Sequence, residues 1–146
     1  AETIPLPYST HDTWTPRLGL EHRFGELAWG EGDASVRIRP SLRAGFFWEK
    51  SPIGAQSGIA NLVDNDRYVW SVGAGVELPH PFGSDKTFGL DATFQQSILG
   101  DRTTHKDSEF VDLDGDGSAE TRVLGWPGYT SGGDLIQFTV GVTLTL

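Results

Sequence analysis

The feature that most constrains this chain is a strict two-residue alternation, sustained over five stretches of about ten residues or more. From Trp14 one set reads Trp14, Pro16, Leu18, Leu20, His22 and Phe24, with Arg17, Gly19, Glu21 and Arg23 between them. The same alternation runs from Val36 to Trp48, from Tyr68 to Leu78, from Phe88 to Ile98 and from Ile136 to Leu146. Successive side chains of a strand point to opposite faces, so each stretch reads as a strand with one apolar and one polar face. Helical periodicity is nearly absent. The expected fold class is all-β and antiparallel.

Soluble antiparallel sheets also alternate, but their strands are usually short and their apolar face packs on a core. Here the apolar faces are long and the opposite faces carry Arg, Glu, Asp, Thr and Gly. A transmembrane barrel needs that pattern, apolar toward lipid and polar toward the lumen. Closure of the sheet satisfies every backbone donor without water. Averaging hides such strands: mean hydropathy is -0.28, and no apolar run is long enough for a membrane helix. With the C-terminus placed in the periplasm, Trp14, Trp48, Tyr68 and Trp70 gather at an upper rim and Phe24 and Phe88 near a lower one. Such aromatic girdles belong to membrane barrels. The link around Pro79–Lys86 is then a short periplasmic turn, and 49–66 and 100–134 are extracellular loops.

Five strands fall short of a complete single-chain barrel, which has an even number and at least about eight. The expectation is therefore that residues 1–146 form the C-terminal portion of an outer-membrane β-barrel. Another chain, the N-terminal part of the same precursor or symmetry mates would supply the remaining strands. Absence of Met and a first residue Ala1 fit a processed chain or a piece of one. With no Cys, a disulfide scaffold and a thiolate metal site are excluded. A net charge of -9 argues against nucleic acid as a partner.

Three segments carry a family likeness. "HDTWTPRLGLEHRF", "LRAGFFWEKSPIG" and "DNDRYVWSVGAGVEL", in this order and spacing, resemble strands of the FadL/TodX outer-membrane transporters. The likeness covers about Asp12 to Gln96, with a compatible terminal strand at Ile136–Leu146 that ends on Leu146 where the family usually has Phe. The resemblance implies a large closed barrel that moves hydrophobic compounds, typically long-chain fatty acids, across the outer membrane. The plug and lateral opening of such barrels lie in an N-terminal half that this chain does not contain.

The sharpest chemical motif is Asp112-Leu-Asp114-Gly-Asp116-Gly-Ser118-Ala-Glu120. Oxygen ligands at alternate positions, with Gly117 allowing a sharp turn and Ser118 offering its carbonyl, suit the six to eight oxygens that Ca²⁺ takes. Val123 stands where an EF-hand needs Glu, so the motif is similar to the strand-flanked Ca²⁺ loops of FG-GAP and integrin-type repeats. Its role would be structural, ordering a long loop. A hydrated acidic turn is the plain alternative.

Inward-facing charges form a second constellation: Arg17, Arg23, Arg37, Arg39, Arg43 and Arg67 with Glu21, Glu77 and Asp91. A cationic wall would meet the carboxylate head of a fatty acid. An interior ion-pair network is the simpler reading, since every barrel must satisfy its inward charges. Pro40 lies mid-strand without a donor, so a local break or bulge is expected there. Catalysis finds little support: His11, His22, His80 and His105 sit in unrelated contexts, no nucleophile-elbow or phosphate-binding motif appears, and for a barrel-embedded hydrolase, the enzyme alternative, no nucleophile and base pair stands out.

These readings combine into part of an outer-membrane barrel for passive uptake of hydrophobic compounds, not an enzyme. Its partners would be outer-membrane lipid, the chain completing the barrel and a hydrophobic small molecule. Ile53, Ile59, Leu62 and Val63 are candidate first contacts for that solute. One alternative is a structural or adhesive barrel subunit with a Ca²⁺-stabilised loop. Another is a soluble, secreted Ca²⁺-binding β-sandwich.

Overall fold

The computed structural model describes residues 10–30, 35–54 and 56–145. Eight strands follow in chain order: β1 (Arg17–Arg23), β2 (Leu27–Trp29), β3 (Val36–Glu49), β4 (Arg67–Pro79), β5 (Thr87–His105), β6 (Phe110–Val111), β7 (Thr121–Arg122) and β8 (Gly128–Thr145). A 3-10 turn, Pro81–Gly83, lies in the short link between β4 and β5. The main sheet is ordered β1-β3-β4-β5-β8, with β2 also pairing β3, and β6 and β7 form a separate two-stranded sheet. The fold is all-β and antiparallel. Among the described residues the main sheet is open, ending at β1 and β8.

The chain divides into two compact units. One holds Ala1–Thr15, Trp48–Arg67 and Ile98–Gly133; the other holds Pro16–Phe47, Tyr68–Ser97 and Asp134–Leu146. The second carries the alternating strands. In it Leu18, Leu20 and His22 stand opposite Phe46, Ala44 and Leu42, while Arg17, Glu21 and Arg23 stand opposite Phe47, Arg43 and Ser41. Apart from Arg17 opposite Phe47 and His22 opposite Leu42, like meets like across the ladder, and the sheet has one mainly apolar and one mainly polar face.

The apolar face of this sheet is uncovered, and much of the polar face is exposed as well. No described residue of the apolar set is buried: Leu20 is 72% exposed, Phe138 76% and Val140 71%. The buried positions of this unit include Val69, Gly89 and Ser97, all in the polar set. Across all described residues Val69 and Val123 are the only buried hydrophobic side chains. Burial of apolar area is the main favourable contribution to folding in water. This sheet obtains little of it from its own side chains.

Several boundaries differ from the sequence expectation. The first strand begins at Arg17 rather than Trp14, because Pro16 has no N–H for the ladder. Strands β5 and β8 are longer than the alternation suggested, reaching His105 and starting at Gly128. The expected 100–134 loop therefore contracts to 106–127 and contains the β6–β7 hairpin. The loop after β3 keeps its expected position, since β3 ends at Glu49 and β4 begins at Arg67. β2 lies in a segment expected to be a plain link.

Pro40 sits where the edge ladder breaks. β1 pairs as far as Arg23↔Ser41, and β2 resumes at Leu27↔Ile38. Three residues on the edge side therefore face two on β3, as in a bulge. The Pro40 carbonyl still accepts the Phe24 N–H at 2.9 Å.

Candidate functional site

Polar-face charges are drawn together from neighbouring strands. Arg43 of β3 pairs with Asp91 of β5, and Arg23 pairs with Glu21 within β1 at 2.8 Å. Arg39 and Arg37 both reach Glu26, at 2.8 and 3.4 Å. Arg17 lies over the Phe47 ring, 5.2 Å from its centroid. Arg67, in the other unit, pairs with Glu49. Each of the six expected inward arginines thus has a partner. Five of the six meet a carboxylate, and Arg17 meets an aromatic ring. Glu26 and Glu49 were not among the expected charges, because they lie beyond the alternating stretches. The groove on this face, about 430 Å³, is lined by Glu21, Arg23, Arg39, Arg43, Glu77 and Asp91 among others.

Gly75 makes the central pair possible. A Cβ built there would lie 2.8 Å from Ser41 Oγ and 2.9 Å from Arg43 Nη2, and would press on the Asp91 carboxylate. A residue without a side chain lets the pair cross over β4.

On the apolar face Ala44, Ala74 and Ala92 lie in a shallow groove of about 660 Å³ that Leu20, Leu42, Phe94 and Phe138 also line. Trp70, Phe94 and Phe138 make a chain of ring contacts with centroids 5.0 Å apart at each step. In the other unit Trp14 meets Trp48 edge to face at 6.3 Å.

The loop after β3 is held by polar bonds rather than an apolar core. The Ser51 N–H donates to Asp66 Oδ1 at 2.9 Å, and Ser51 Oγ donates to Asp64 Oδ2 at 3.0 Å. Asn65 donates to the carbonyls of Gly100 and Ser131, at 2.9 and 2.7 Å. Lys106, only 5% exposed, donates to the carbonyls of Gln56, Gly58 and Ala60 at 2.9, 2.7 and 2.6 Å. Burial pushes its ammonium below the ordinary lysine range, and Asp107 opposes that shift. Sequence reasoning missed this residue, since a lone Lys at a strand end carries no signature. The expected solute contacts divide: Leu62 and Val63 are exposed, whereas Ile53 and Ile59 are half-buried. The Ile53 carbonyl accepts Arg102 Nη1 at 2.7 Å.

The acidic motif forms the turn between β6 and β7, so short strands flank it. Carboxylate oxygens of Asp112, Asp114 and Asp116 lie within 4.8 Å of one another. Glu120 is outside that trio. The Asp112 carboxylate accepts N–H bonds from Gly117 and Gly115 at 2.8 and 2.7 Å, which hold it below the usual carboxylate range. Asp116 accepts the Ser118 N–H at 2.7 Å. Three of the five expected ligands therefore converge, with Gly115 and Gly117 at positive φ of 77° and 94° shaping the turn.

No family model, curated protein or solved structure matches this chain.

Proposed function

We propose that the chain forms part of an outer-membrane β-barrel through which hydrophobic compounds, such as long-chain fatty acids, diffuse passively inward. The long, uncovered apolar face of the sheet carries this reading. An exposed apolar face suits contact with lipid acyl chains, and a polar face laced with ion pairs suits a wet lumen. The FadL/TodX-like segments supply the substrate class. Leu62 and Val63, exposed beside each other on the loop after β3, are the first apolar contacts for an arriving solute. The six polar-face arginines already face partners, so this reading rests selectivity on apolar contact. Uptake of a labelled long-chain fatty acid into cells or proteoliposomes carrying the complete barrel tests this. Joint replacement of Leu62 and Val63 by Ser lowers the rate several-fold; unchanged uptake contradicts the role assigned to them.

A second reading, a structural or adhesive barrel subunit, is favoured by the convergent Asp112, Asp114 and Asp116. These residues would hold Ca²⁺ with the Ser118 carbonyl, and the ion would neutralise the crowded carboxylates and order the hairpin. Ca²⁺ added after EDTA then raises the unfolding temperature, an effect absent in Asp112→Asn. A strong Ca²⁺ response with no fatty-acid binding would favour this subunit over the transporter.

A further inference from the structure

Strand direction constrains what can complete the sheet. β1 and β3 are antiparallel. Between β3 and β4, Gly45 meets Ser71 and Gly75 meets Ser41; between β4 and β5, Gly73 meets Thr93 and Gly75 meets Asp91. Between β5 and β8, Gly89 meets Thr143 and Gly141 meets Asp91. In every case residue numbers rise along one strand as they fall along its neighbour, so direction alternates along the path β1-β3-β4-β5-β8. The first and last strands therefore run the same way.

Both ends are templates for pairing. β8 is 18 residues long with no Lys, Arg or Pro, and Ile136, Phe138, Val140, Val142 and Leu144 are exposed along it. Unprotected edges of that kind demand a partner strand. From this geometry, and resting on the barrel reading above, we infer that β1 and β8 are seams. An odd number of antiparallel strands, lying outside the described residues and not supplied by a second copy of this chain, closes them. Copies related by rotation about the barrel axis keep their direction, so β8 of one would meet β1 of the next in parallel. A two-fold axis in the membrane plane would restore antiparallel seams. It would also invert one copy, forcing its charged 106–127 segment to the opposite side of the bilayer. A heterologous segment of at least about three strands gives an even, wholly antiparallel barrel.

The test is the stoichiometry of the detergent-extracted particle, read by native mass spectrometry with peptide sequencing of every chain. Single-cysteine variants Leu20→Cys on β1 and Val142→Cys on β8 are clean probes, because the chain has no Cys. Expected are one copy per particle, cross-links from both cysteines to a second polypeptide segment, and an odd number of alternating strands in that segment. Hydrogen exchange on the unmodified particle, with β8 amides protected, covers the case of a variant that fails to assemble. Cross-links between copies of this chain, an even strand count, or freely exchanging β8 amides in the particle would overturn the inference. A particle that needs detergent yet contains cross-linked copies defeats this inference alone. A chain that is monodisperse without detergent defeats the barrel reading and, with it, this inference.

Discussion

Arg43 and Asp91 pair over Gly75, the residue of β4 that lies between their strands. The pair ties β3 to β5 across an intervening strand, and it exists because β4 offers no side chain at that point. Gly75→Ala places a methyl group 2.8 Å from Ser41 Oγ and 2.9 Å from Arg43 Nη2. These atoms end flexible side chains, so they shift, and what is lost is the pair. Both charges are part-exposed, which limits the loss to about 0.5–1 kcal/mol. Gly128→Ala costs more, about 1–3 kcal/mol, because a Cβ there meets the Thr104 backbone, which cannot turn aside. Gly19→Ala meets nothing within 4 Å and serves as the control. Thermal unfolding of the three variants in detergent gives the order directly.

The two faces of β8 respond unequally to charge. Phe138 is 76% exposed on the apolar face, and its neighbour Thr139 points the other way. In a bilayer Phe138→Arg costs about 2–4 kcal/mol, the value for a charge on the lipid side near the midplane. Thr139→Arg costs about 0.5 kcal/mol, as an ordinary exposed substitution does. If the apolar face met water, the two would be equally mild. Denaturant titration of both variants in lipid vesicles separates these cases.

Lys106 acts as a resident cation for the loop after β3. Lys106→Met keeps the aliphatic stem and removes every donor, leaving the carbonyls of Gln56, Gly58 and Ala60 short of partners. The expected cost is about 2–3 kcal/mol, from stranding buried acceptors. It is confined to the loop, so the readout is proteolysis within 56–60, accelerated in the variant while the strands stay protected.

Acid loosens the β6–β7 turn. The N–H groups of Gly117 and Gly115 hold Asp112 below its ordinary value of 3.8. A carboxyl whose folded value is depressed contributes stability above the unfolded value and loses it as pH falls through the folded one. The turn is therefore intact at neutral pH and opens only below about 3.8. In calcium-free protein, NMR titration of the Asp112 carboxyl carbon shows a midpoint below that value. Gly115→Ala and Gly117→Ala move the midpoint back up, because both sites need positive φ.

The long strands were legible because each has faces of opposite polarity. Where both faces are polar, the signal vanishes. Residues 99–105 and 128–134 are rich in Gly, Thr, Ser and Asp, so the last seven residues of β5 and the first seven of β8 read as loop although they are strand. β2, β6 and β7, of two or three residues each, are too short to show any period. The six arginines were legible by register, but Glu26 and Glu49 were not, because each lies where alternation has stopped. The acidic turn was visible as a motif. Glu120 stands apart because β7 begins at Thr121, immediately after it.

Detergent dependence tests the central claim most directly. The protein, extracted with its completing strands, is diluted below the critical micelle concentration and followed by size-exclusion chromatography with light scattering. The account predicts aggregation without detergent, and with detergent a single species carrying bound amphiphile around the apolar face. A monodisperse, detergent-free particle with its β-structure intact would contradict it.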